Sequence, residues 1–156
     1  MIGSLMYLTN MRPDIFFAMK TLSQFLTDPR HVHLIAGKHI LRYLKGTIDY
    51  GLKYEANQKI NFEGYVDLDW VGSAIDRKRK LATKFEMKDL GMMHYFLGME
   101  VWQSVDGISL GQGKYTVEIL KRFGMMDCKA MTTPMASNLK RLSDDSLEAA
   151  DAMIYR

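Results

Sequence analysis

Asp67 and Asp69 stand two residues apart in GYVDLDWVG, a run that alternates like a strand. A period of two turns both carboxylates to one strand face. Acids so placed can begin the oxygen shell of a divalent cation, and a metal held there could polarise a phosphodiester and activate water. Such chemistry needs further carboxylates from other elements. The other close acidic pair, Asp144 and Asp145, falls where a helix start is expected, and capping accounts for it fully.

A second candidate is basic. Lys38, Arg42 and Lys45 fall at i, i+4 and i+7 of an expected helix, and no acid occurs between Pro29 and Ile48. The stripe could lie along phosphates, or be a plain solvated face. His31, His33 and His39 spread over different helix faces with no Cys or acid beside them, so they read as solvent-facing rather than as metal ligands. Cys128 is the single cysteine; it has no nearby histidine base and cannot form an internal disulfide, which fits a reducing compartment. QGK, 112–114, is too short for a phosphate loop.

The elements that would position these residues follow from periodicity. A helix is expected over about 2–9, then a turn at NMRPD, then a helix from Pro13 to about Leu26 with Ile15, Ala18, Met19, Leu22 and Phe25 inward. TDPRH restarts the chain: Thr27 or Asp28 caps, Pro29 takes the first helical position, and Gly46 ends a helix at about Lys45. GLKYE and INFEGYVDLDW read as strands joined at NQK, and DRKRK, 76–80, marks the main internal boundary. Beyond it lie a short helix over about 82–90 and two strands, HYFLGMEVWQ and GISLGQ, joined at SVDG. A helix over 114–123 follows, then a last one in SDDSLEAADAMIYR. The fold class is α+β, with about five helices and two small antiparallel β-hairpins.

Composition bounds the class. At 156 residues, with 47% hydrophobic and 25% charged residues, the chain matches an ordinary globular protein. No apolar run approaches the eighteen or so residues of a membrane span. The start, MIGSLMYLTNMR, lacks a signal-peptide pattern, so a cytoplasmic or nuclear location is expected. Net charge is +3, with 12 Lys/Arg against 8 Asp/Glu over 1–80 and 9 against 10 over 81–156, so the first half is the more basic face. Thirteen methionines read as adaptable core filler.

SLMYLTNMRPDIFFAM, HILRYLKGTIDYGLKY and GYVDLDWVGSAIDRK resemble the end of the reverse transcriptase and the start of the ribonuclease H domain in Ty1/copia-type retrotransposon Pol polyproteins. KFEMKDLGMMHYFLGMEVWQS, GKYTVEILKRFGMMDCK and TTPM resemble the stretch just after the polymerase active site of the same polyprotein. The resemblance implies that 1–80 holds connection helices and the first ribonuclease H strands, and that 81–156 holds a primer-grip-like hairpin and thumb-like helices. In the family the second block comes first, and its last helix, here ending AMIYR, runs on into IGSLMYLT. Two origins are open for this order: a circular permutation cut inside that helix, or a translated remnant of a rearranged element. If the chain folds as one unit, Met1 and Arg156 should lie close together.

By resemblance Asp67 is the first ribonuclease H acid and the one candidate metal ligand, while Asp69 is not a second. The family uses Mg²⁺ held by several carboxylates. Their counterparts beyond DRKS, and the YVDD-type pair of the polymerase, do not occur here, so no complete catalytic set and no cofactor are expected for the chain alone. What the resemblance leaves is substrate-handling surface. Tyr95 and Gly98 lie on the hairpin that grips the primer end, and Lys114, Lys121 and Arg122 on the thumb-like helix. The expected partner is an RNA or DNA duplex without sequence preference, with no membrane and no small-molecule substrate. The alternatives are a small interaction domain without nucleic-acid affinity, and an enzyme completed in trans.

Overall fold

Pro13 has no N–H to leave unpaired, and the chain uses it to open a 3-10 turn, Pro13–Ile15, that feeds straight into a helix. In the computed structural model, residues 1–55, 93–136 and 148–156 are described. They carry α1 (Ile2–Leu8), α2 (Phe16–Ser23), α3 (His31–Lys45), α4 (Gly113–Arg122) and α5 (Ala152–Tyr155), with β1 (Gly51–Glu55), β2 (Tyr95–Phe96), β3 (Met99–Ser104) and β4 (Gly107–Gly111). The α+β class is as the sequence predicts, but the last helix, expected from caps at 143–146, begins only at Ala152, because 148–150 are drawn into backbone pairing with 29–31. None of these helices is long and apolar enough to cross a membrane.

The core gathers the apolar stripes of the helices. Ile2, Leu5 and Leu8 of α1, Ala18, Met19 and Leu22 of α2, and Ile40, Leu41 and Leu44 of α3 are buried together. Ile119 and Leu120 of α4 and Tyr155 of α5 join the same cluster, so both sequence blocks contribute to one core. Burying each such side chain stabilises by about 1.5–3 kcal/mol, and Leu41→Ala would cost about 2–5 kcal/mol. At Gly37 the end of the flexible Met1 side chain packs where a Cβ would stand.

The start of α3 differs from the expected one. Pro29 lies outside the helix, and Arg30 is the N-cap residue. The reason is long-range: His31 N donates to Glu148 O and Ala150 N to Pro29 O, both at 2.8 Å, and Arg30 bridges to Ala149. This short antiparallel pairing holds Arg30 extended, so the helix begins at His31, two residues late. At the other end Asp151 caps α5, its Oδ1 accepting from Met153 N and Ile154 N.

The strands expected in two hairpins meet in one antiparallel sheet of order β1-β4-β3-β2. β1 pairs with β4, Gly51 opposite Gly111 and Glu55 opposite Gly107, so a strand of the first block completes the β3–β4 hairpin of the second. The predicted second strand over 60–70, the boundary at 76–81, the helix over 82–90 and the caps at 143–146 lie outside the described residues. Two residues, Leu97 and Gly98, join β2 to β3 with φ of 48° and 79°. That is the primed-turn geometry whose twist suits a hairpin, here without the Asn-Gly signature that would announce it.

Candidate nucleic-acid interface

A leucine at positive φ is strained, and a bond from across the molecule holds it. The Tyr7 hydroxyl donates to Leu97 O at 2.7 Å, tying the β2–β3 turn to α1. A Cβ at Gly98 would strike that hydroxyl. Tyr7 in turn meets Tyr115 of α4 edge-on, with ring centroids 5.0 Å apart. The hairpin, α1 and α4 therefore form one corner.

On this corner the structure brings together three of the predicted residues. Gly98 makes the turn, Tyr95 stands on β2, and Lys114 Nζ lies 5.6 Å from the Tyr95 ring centroid, within the range of a cation–π contact. Glu100, opposite Tyr95 in the sheet, organises the pair. Its Oε2 accepts from Lys114 N at 3.1 Å, at the start of α4, and its Oε1 lies 3.6 Å from Lys114 Nζ. Glu100 is a residue that sequence reasoning missed; its place opposite Tyr95 follows from register, which a single sequence leaves open. Lys121 and Arg122 are exposed in the last turn of α4, and Arg122 Nη1 reaches Ser4 Oγ at 3.5 Å. Tyr95, Phe96 and Trp102 expose about half of their surface each.

The stripe on α3 is spent differently. Lys38 is exposed, but Arg42 Nε donates to Lys129 O at 2.8 Å and Lys45 Nζ to Cys128 O. With Met131 N bonding to Arg42 O and His39 Nε2 meeting Thr133 O at 3.0 Å, these side chains fasten the 128–133 segment onto α3. They are not set out along an open face. His33 corrects its expectation outright: it is 1% exposed, stacked on Phe25 at 3.9 Å between centroids, and its Nδ1 accepts from Arg30 N. Its spacing from Phe25 is eight residues across a helix break, so no helical period could show the contact.

Among the described residues, three cavities open near the sheet. One of about 440 Å³ lies beside Trp102, with Asp49, Lys53 and Ser109 on its walls; a second, of about 200 Å³, joins Trp102 to Tyr50, Glu100 and Lys114. The third, about 470 Å³, lies beneath the β2–β3 turn and is lined by Tyr7, Asn10, Leu97, Met99 and Gln112. Asp67, Asp69, Asp144 and Asp145 lie outside the described residues. Among the described residues no three His, Cys, Asp or Glu side chains converge as metal ligands would.

A second polar cluster is structural. Arg12, 2% exposed, donates from Nε and Nη2 to Asp14 at 3.0 and 2.7 Å, and from Nη1 and Nη2 to Thr47 O and Oγ1. Tyr43 Oη adds a bond to Asp14 at 2.7 Å. Burial works to raise the Asp14 carboxyl, but the bonds from Arg12 and Tyr43 and the Arg12 charge together hold it below its ordinary value. Burial, then the Asp14 contact, pushes the Tyr43 phenol up.

A profile of the reverse transcriptase (RNA-dependent DNA polymerase) family matches residues 41–137. The chain belongs to this family, and to its Ty1/copia type found in retrotransposon Pol polyproteins. It is 44% identical over 75 residues to the retrovirus-related Pol polyprotein from transposon RE1 of Arabidopsis thaliana, covering 48% of this chain and 5% of that one. It is 42% identical over 85 residues to the corresponding polyprotein from transposon TNT 1-94 of Nicotiana tabacum, covering 54% and 6%. An uncharacterized mitochondrial protein of Arabidopsis thaliana is 40% identical over 76 residues, 49% of this chain and 68% of that protein. The chain thus spans about a twentieth of the Pol polyproteins it matches. No solved structure matches it.

Proposed function

We propose that this chain binds nucleic-acid duplexes weakly and without sequence preference, and alone carries out neither polymerisation nor RNA cleavage. The observation that carries the reading is the Lys114 ammonium poised over Tyr95 beside the Gly98 turn, with Lys121 two helical turns further along α4. The two lysines share one helix face about 10 Å apart, next to the hairpin that carries Tyr95. Phosphates are held there by screened attraction and counterion release; they carry position, not sequence.

The inactivity follows from counting acids. Two-metal phosphoryl chemistry needs several carboxylates around Mg²⁺, and the resemblance supplies Asp67 alone, so no metal-dependent step is assigned to the chain. The test is a titration of labelled RNA/DNA hybrid at about 50 and about 200 mM salt, where three phosphate contacts predict a loss of roughly fortyfold. A parallel assay with Mg²⁺ should show no primer extension and no hybrid cleavage. Processive extension would refute the reading.

A second reading, an interaction domain without nucleic-acid affinity, has its own support: Glu100 already answers Lys114, and Arg42 and Lys45 are committed to backbone carbonyls. Absence of binding at either salt concentration would favour it.

A further inference from the structure

We infer that Glu100 makes an autoinhibitory contact on the hairpin and α4 surface: its carboxylate holds Lys114 where a backbone phosphate of a bound strand would lie, and binding has to displace it. The inference rests on the duplex-binding reading for the identity of the anion, and on the geometry around Glu100 for the competition. Glu100 Oε1 lies 3.6 Å from Lys114 Nζ, and its Oε2 accepts from Lys114 N at 3.1 Å. An ammonium and a helix-start N–H turned to one pair of acidic oxygens are the donors that a phosphate takes. The two side chains differ in burial, that of Glu100 being 14% exposed and that of Lys114 74% exposed. The acid is therefore fixed in the body of the protein, while the cation is reachable from solvent.

The surroundings show why the carboxylate sits there. Lys114 N is the second N–H of α4, one that an N-cap side chain ordinarily accepts. The N-cap residue is Gln112, which makes no side-chain cap bond. It is 3% exposed, and among the described residues its Oε1 has no hydrogen-bond partner. Glu100 takes the N–H instead, and reaches it beside a glycine: a Cβ at Gly113 would stand 3.2 Å from Glu100 Oε2. The acid comes from β3, across the fold, so the same carboxylate that caps α4 also answers its lysine. Tyr95, opposite Glu100 in the sheet, meets that ammonium at 5.6 Å, but a neutral ring does not cancel its charge. Among the described residues neither Lys121 nor Arg122 forms an ion pair, so the competition is confined to Lys114.

The test measures binding of labelled RNA/DNA hybrid by fluorescence anisotropy, at one low salt concentration, for the full chain, Glu100→Gln, Lys114→Ala and the double variant. Glu100→Gln removes the charge and keeps an acceptor for Lys114 N, so α4 stays capped and the helical signal in circular dichroism unchanged. It should raise affinity about two- to fivefold, what releasing an exposed ion pair is worth. The salt slope, set by the phosphates contacted, should not change. In the Lys114→Ala background the same substitution should gain nothing. No gain from Glu100→Gln, or a gain of equal size without Lys114, as a diffuse charge effect would give, overturns the inference. If none of these proteins binds hybrid, the duplex reading fails and inorganic phosphate decides the competition by NMR. It should shift the Lys114 amide at lower concentration in Glu100→Gln than in the parent, and equal half-saturation, or no shift in either, would overturn the inference.

Discussion

The Met1 ammonium donates to the carbonyl oxygen of Ile154 at 3.1 Å. Gly3 N donates to Arg156 O at the same distance. Were Arg156 joined to Met1, both bonds would span three residues, the spacing of a tight helical turn. The last turn of α5 and the first of α1 thus abut through bonds of helical spacing, at the join where the resemblance implies AMIYR running on into IGSLMYLT. Burial, and secondarily the Arg122 charge, lowers the Met1 amine below its ordinary value, as expected of a terminus seated in the body of the protein.

That seat depends on Tyr155, which is fully buried and donates its hydroxyl to Leu22 O at 2.7 Å. Tyr155→Phe should cost about 1 kcal/mol through the bond left unmade, and Tyr155→Ala about 3–5 kcal/mol, read from urea denaturation midpoints. Burial pushes the phenol up to about 12. Because the folded value lies above the unfolded one, this contribution is intact below pH 10 and is lost as pH climbs from about 10 to 12. Tyr155→Phe should flatten that alkaline limb.

Asp14 behaves oppositely. Its carboxyl is held low, so the stability it contributes is present above its unfolded value of 3.8 and is lost as pH falls through the folded one. Asp14→Asn should remove this acid limb and cost about 3–5 kcal/mol at neutral pH by leaving the buried Arg12 without its carboxylate. Denaturation curves from pH 2 to 7 on both proteins check the prediction.

Gly98→Ala meets two obstacles at once, a positive φ and the Tyr7 hydroxyl. The expected cost is about 1–3 kcal/mol. Amide exchange should quicken at Val101, whose N–H bonds to His94 O across the hairpin base, with α3 amides little changed.

Much of the helical fold was legible. Apolar periodicity, Pro13, and Gly46 and Gly124 as stops place α1 to α4 within a few residues of where they lie. The closeness of Met1 and Arg156 was legible too, though only from the order of the resembling blocks. What stayed hidden depends on contacts far apart in sequence. The pairing of 29–31 with 148–150 moves the start of α3, and the bonds of Arg42 and Lys45 to carbonyls near Cys128 use up charges that looked free. The register that puts Glu100 beside Tyr95, and the Tyr7 bond that holds Leu97, leave no local trace. Gln112 could have been noticed as a poor N-cap residue, but its missing partner shows only in three dimensions.

The salt dependence of hybrid binding, measured for the chain and for Lys114→Ala/Lys121→Ala/Arg122→Ala, tests the account most directly. If the hairpin and α4 form the nucleic-acid surface, the logarithmic slope should be roughly −3 for the parent and fall close to zero in the triple variant, at about 0.9 per phosphate contact. A slope the triple variant leaves unchanged, or a parent that does not bind at low salt, would contradict it.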